Sequence, residues 1–138
     1  MPPSERPQGA QAAASIAAGA MIRAMADELH VEAGAVVATL GGELDAHDAP
    51  RLRELFASAL ESLNVDQGVR VLVLELSRVD FLDSTALGTM IGALRRVRET
   101  GGEMRVVLPA SQARRIFEIT GLDQVLDVYE SRSAALES

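Results

Sequence analysis

The chain has 138 residues, 48% of them apolar but only 3% aromatic, with 20 acidic residues against 13 basic ones. That length suits one domain with an aliphatic core, and a formal charge of −7 argues against a nucleic-acid partner held through its phosphates. Cysteine is absent, which excludes disulfide frameworks, thiolate metal sites and cysteine nucleophiles, and no apolar run approaches the ~20 residues of a membrane span.

Residues 1–27 differ from the rest. Met1 to Gly9 is rich in proline and polar residues, and Gln11 to Met25 is mostly alanine, glycine and methionine. This composition suits a flexible Ala/Gly/Pro-rich tail with some helical tendency; an amphipathic helix packed on the domain or on a partner is the alternative. Ala18-Gly19-Ala20 has the look of a signal-peptide cleavage site, but Glu5 beside Arg6 and an alanine-rich middle argue against that reading. The folded domain is expected over residues 28–138.

Leu29 to Ala33 and Ala35 to Leu40 read as two strands joined in a hairpin at Gly34, the second ended by Gly41-Gly42. A helix follows, capped by Asp48 or its neighbour with Pro50 in the first turn, and Leu52, Leu55, Phe56, Ala59, Leu60 and Leu63 share one face. Val65 to Gly68 turns into a strand at Val69 to Leu76, whose run Val71-Leu72-Val73-Leu74 is that of a strand buried on both faces. Ser77-Arg78 reads as a break, after which a short apolar step leads to Asp83 and Ser84.

Leu87, Met90, Ile91, Leu94 and Val97 then recur at helical spacing, and Gly101-Gly102 stops that helix. Met104 to Leu108 is a strand closed by Pro109. Ser111 caps a helix with Ile116 and Ile119 inward, ending at Gly121; Val125 to Tyr129 is a last short strand and Ser131 begins a final helix. A hairpin followed by alternating strands and helices predicts a single α/β domain, with a mixed sheet of four to five strands and helices packed against it.

Ser84 falls at a helix N-terminus, where free backbone N–H groups and the positive end of the macrodipole face outward, so an attached phosphate would be well tolerated. Serine, threonine and aspartate at helix starts are also ordinary N-caps, each contributing about 1 kcal/mol, and spacing alone does not separate the two readings. Other chemistry finds little support. A serine hydrolase needs a histidine base, but no Gly-x-Ser-x-Gly elbow surrounds Ser84 and only His47 could lie near the same end of the sheet. His30 and His47 are the sole histidines and no carboxylate spacing joins them into a metal site, so neither metal nor cofactor is expected. The clusters Arg95-Arg96-Arg98 and Arg114-Arg115 sit on helices away from the apolar positions and read as solvated faces. Glu43 and Asp45, between a buried strand and a helix, form either a solvated turn with a capping acid or part of a binding surface.

Asp83-Ser84-Thr85, after an apolar strand and before Leu87-Gly88, resembles the phosphorylation motif of STAS-domain anti-sigma factor antagonists. Three further segments match that family in order: Gly42-Glu43-Leu44-Asp45, the loop after its second strand; Gly101-Gly102-Glu103-Met104, the turn before its next strand; and Pro109 to Leu122, its third helix. The resemblance spans about residues 28 to 130. It departs at Ala86, where the family often has glycine, which bears on how closely a partner backbone approaches.

The resemblance implies a STAS fold over residues 28–138 and a cytoplasmic, non-enzymatic switch, monomeric or weakly dimeric. Its partners would be an anti-sigma factor with ATP-dependent serine kinase activity and a separate serine phosphatase, with no nucleic acid and no membrane. Ser84 would be the phosphoacceptor, and Glu43, Asp45, Asp83, Thr85, Leu87, Gly88, Thr89 and Gly92 would form the partner surface. Some family members carry no phosphorylatable serine and serve as scaffold subunits in larger signalling or transport complexes, which is the alternative role.

Overall fold

The computed structural model describes residues 28–109 and 112–137; the reading of residues 1–27 as a tail and of Ser111 as a helix cap lies outside the described residues. Strand β1 (Glu28–Glu32) pairs antiparallel with β2 (Ala35–Leu44) through a turn in which Ala33 and Gly34 both take left-handed φ angles, 53° and 78°. A two-residue turn of that kind matches the twist of the strands it joins.

Every later strand is parallel to β2, and each connection carries a helix. Helix α1 (Ala49–Ser62) leads to β3 (Val71–Leu82), α2 (Ser84–Glu99) to β4 (Glu103–Val107) and α3 (Gln112–Thr120) to β5 (Asp127–Tyr129), giving the sheet order β1-β2-β3-β4-β5. Right-handed crossovers between successive neighbours put all three helices on one face of the sheet. There Val36, Ala38, Leu40, Leu72, Leu74 and Leu76 meet Leu52, Phe56, Met90, Leu94 and Phe117 in one aliphatic core. On the other face Val37, Val73 and Val107 pack against Ala135 of a short α4 (Arg132–Glu137). Both faces of β2 and β3 are therefore dry, which is why their sequences run apolar without alternation.

The buried charged groups on that second face are paired, whereas the Thr39 hydroxyl has no hydrogen-bond partner among the described residues. Glu75 accepts from the Ser77 backbone N–H and hydroxyl and from Arg132 of α4, and Arg105 donates to the Ala135 carbonyl at 2.6 Å. Arg132 also bonds Glu32 of β1 at 3.3 Å, so the short helix is held by polar bonds to three strands as well as by apolar contact.

Three expectations need correction. Gly41-Gly42 does not end β2, and Ser77-Arg78 does not break β3: both strands continue to Leu44 and Leu82. Thr39 pairs with Glu75 and Gly41 with Arg78, then Gly42 with Val79 and Glu43 with Phe81, so β3 carries two more residues than β2 over this stretch. These bulges place Ser77-Arg78 and Asp80-Phe81 outside in consecutive pairs while Leu76, Val79 and Leu82 all face the core. A spacing of three in a strand defeats a period-two reading. Ile119, expected inward, is 76% exposed, because the buried face of α3 is centred on Phe117 and a residue two positions on lies nearly opposite.

Candidate functional site

The carboxyl ends of β2 and β3 deliver the chain to the same edge of the sheet, so the turns entering α1 and α2 lie side by side. Their joint is Asp83. It is the N-cap of α2, with extended backbone, and its Oδ1 accepts the Ala86 N–H at 2.9 Å. Its Oδ2 accepts the Ala46 N–H at 3.0 Å, and its own N–H donates to the Leu44 carbonyl at 3.0 Å. One residue thereby caps its helix and ties the neighbouring turn to it.

That neighbouring turn is ordered from within. Asp45 Oδ1 accepts the His47 N–H at 2.9 Å, and Asp48 Oδ2 accepts the Asp45 N–H at 3.0 Å, a reciprocal cap on the single 3₁₀ turn Ala46–Asp48. Asp48, 7% exposed, also bonds Arg51 at 3.0 Å. Of the two residues suggested as caps at this point, Asp45 caps the 3₁₀ turn, while Asp48 makes no side-chain cap to α1.

Ser84 occupies the first turn of α2 and is exposed, as is Thr85 beside it. The Ser84 hydroxyl makes no hydrogen bond to a described residue, since the capping bond comes from Asp83. Helix geometry leaves the N–H groups of Ser84 and Thr85 without intrahelical partners. The outcome is an exposed hydroxyl beside free backbone donors at the positive end of a 16-residue helix. His47 is exposed in the adjoining turn and makes no hydrogen bond to Ser84, so no nucleophile–base pair is formed there.

The other suggested site residues divide. Glu43 is exposed at the end of β2, opposite Phe81 in register. Gly88 and Thr89 continue down α2 from Thr85, and Gly92 lies one turn beyond; with Thr85 they line an open groove of about 350 Å³ between α1 and α2. Leu87 belongs to the core, with 9% exposure, and has little surface to offer a partner. Ala86 is 0% exposed, so its methyl group faces inward and does not alter a partner's approach. Asp83 and Asp45 face the same end of the domain, but their carboxylates are committed to backbone bonds.

Sequence reasoning missed two features. Phe81 is 44% exposed beside Glu43, a large ring held outward by the second bulge. Arg53 and Arg96 flank the groove from α1 and α2; only the crossing of those helices brings them together, and no local motif announces it.

The sequence model of the STAS domain family matches residues 28–135, and the chain belongs to that family. An anti-sigma-B factor antagonist of Listeria monocytogenes is 36% identical over 89 residues, covering 64% of this chain and 74% of that protein. The crystal structure of an anti-sigma factor antagonist from Mycobacterium paratuberculosis superposes with a TM-score of 0.70 at 26% identity, covering 80% of this chain and 90% of that one. The Bacillus cell fate determinant SpoIIAA in its phosphorylated form superposes with a TM-score of 0.58 at 25% identity, covering 81% and 97%.

Proposed function

We propose that this chain is an anti-sigma factor antagonist, a binding switch without catalysis of its own. Unphosphorylated, it binds an anti-sigma factor and so frees a sigma factor; phosphorylation of Ser84 ends the binding. The anti-sigma factor is an ATP-dependent serine kinase that acts on Ser84, and a separate serine phosphatase restores the binding form. Relatives named as anti-sigma factor antagonists, and a structural neighbour described in a phosphorylated form, support the reading.

The observation that carries it is the division of labour between adjacent residues. Asp83 performs the capping, which leaves the Ser84 hydroxyl exposed and without structural duty. A phosphate there accepts from free N–H groups and meets the favourable end of the dipole.

The switch acts on charge at the surface. Phosphoserine adds about −1.5 to −2 at neutral pH beside Asp83, Asp45 and Glu43. Buried in a protein contact, that charge is poorly solvated and repels acidic groups on the partner. A coupling of about 1–3 kcal/mol changes affinity roughly 5- to 150-fold. The fold itself changes little, because the helix tolerates the phosphate.

Intact mass after incubation with ATP and the candidate kinase tests the assignment. The parent chain should gain one phosphate and Ser84→Ala none. Phosphate incorporation into Ser84→Ala would move the site to another residue, Thr85 first. Stable partner binding with no incorporation into either form would favour a constitutive scaffold subunit.

A further inference from the structure

The helical face of the domain carries an opening that the fold does not use. Gly88 and Gly92 stand one turn apart in the middle of α2, where glycine is less stable than alanine. A Cβ built at either position meets no atom of the described residues within 4 Å, so neither glycine is required by their packing. What they leave open is the groove of about 350 Å³ between α1 and α2, with Phe56 among its lining residues and Thr85 at the end nearest Ser84. Arg53 and Arg96 flank it, both exposed. Neither forms an ion pair or hydrogen bond with a described residue.

We infer that this groove receives an acidic amphipathic helix of the partner protein, whose small apolar side chains rest on Gly88 and Gly92 and whose carboxylates pair with Arg53 and Arg96. Three observations select this occupant. The groove runs between two neighbouring helices, away from the edges of the sheet, so strand addition is unavailable and helix-in-groove docking is the mode that fits. Absent side chains on α2 permit close approach of another backbone. Two guanidinium groups with no partner among the described residues line the same groove on a chain whose formal charge is −7, and they complement carboxylates.

The naming of a protein helix as occupant rests on the partner-switch reading above, and gives it a more specific physical form. A phosphate on Ser84 lies next to Thr85 at the head of the groove, where it repels an acidic occupant.

The test is an amide chemical-shift titration of the full ¹⁵N-labelled, unphosphorylated chain with two stapled helical peptides. They share one alanine-rich apolar face and differ only in flanking glutamates or flanking lysines. The acidic peptide should shift Thr85, Gly88, Thr89 and Gly92 and bind at least about tenfold more tightly than the basic one. Arg53→Gln combined with Arg96→Gln should abolish that preference. Gly92→Leu, whose side chain projects into open space, should block the acidic peptide while melting no lower than the parent, with an otherwise intact amide spectrum. Equal binding of the two peptides, shifts centred outside α1 and α2, no saturable shift at all, or undiminished binding to folded Gly92→Leu overturns the assignment. Because no kinase enters the titration, the two readings fail separately. Phosphate incorporation without groove shifts removes the groove alone, and groove shifts without phosphate incorporation remove the phosphoswitch alone.

Discussion

Asp83 and Ala46, 37 residues apart in sequence, are joined by a 3.0 Å hydrogen bond from the Ala46 N–H to the Asp83 carboxylate. The other oxygen of that carboxylate holds the start of α2. The two turns that border Ser84 are therefore one mechanical unit, and the acid beside the serine is a brace before it is a contact.

Removing the brace has a defined cost. Asp83→Ala loses the helix cap, about 1 kcal/mol, and the bond to the neighbouring turn, about another 1 kcal/mol. Urea unfolding should show a loss of roughly 2 kcal/mol, whereas Ser84→Ala should shift stability by less than about 0.5 kcal/mol. Equal losses in the two variants would mean that the serine shares the capping.

Phe81 is exposed beside Glu43 at the same end of the domain. Partly exposed aromatic rings at an interface often carry much of its energy. Phe81→Ala should weaken partner binding by about tenfold or more, equivalent to about 1.4 kcal/mol, with little change in melting temperature. Calorimetric titration and a melting curve on the same sample separate the two effects. Unchanged affinity would place Phe81 outside the contact.

The glycines of α2 and of the turn after it should respond oppositely to alanine. Gly88→Ala and Gly92→Ala place a methyl in open space within a helix and should each raise stability, by up to about 1 kcal/mol. A Cβ at Gly102 would lie 2.7 Å from the Arg70 carbonyl oxygen, so Gly102→Ala should lower the melting temperature. Stabilisation by Gly102→Ala would show that the turn yields more easily than its packing indicates.

Acid stability has identifiable contributors. Glu32 is held below the ordinary glutamate value of 4.5, chiefly by its hydrogen bond with His30 and further by Arg132. Glu103 is held below the same value by Arg105, which bonds it at 2.8 Å. A carboxylate depressed in the folded state contributes fully above its unfolded value, and the contribution is lost as pH falls through the folded one. Both side chains are about 40% exposed, so the effect is small. The melting temperature should fall gently below the ordinary value, and parent and Glu103→Gln should converge at the acid end. A constant gap from neutral pH to about pH 3 would contradict the linkage.

Most of the architecture was legible because local signals agreed with one another. The Gly34 turn, the apolar run of β3, the helical spacing from Leu87 to Val97 and the glycines at 101 and 121 each mark an element that forms. What escaped the sequence depends on pairing between distant segments. The bulges in β3 exist only against β2, so Ser77-Arg78 looked like an end where the strand merely turns residues outward. The site divides in the same way. Ser84 at the tip of α2 follows from periodicity, while the Asp83–Ala46 bond and the meeting of Arg53 with Arg96 require the helices to be packed. The resemblance implies Leu87 at the partner surface, but helical rotation turns it into the core.

The most direct test of the proposed switch is the affinity of a candidate anti-sigma factor for this chain before and after stoichiometric phosphorylation of Ser84, read by calorimetric titration, with circular dichroism recorded on both forms. The account predicts superimposable spectra and binding weakened roughly 5- to 150-fold. Equal affinity of the two forms, or weakened binding accompanied by loss of helix signal, would contradict it.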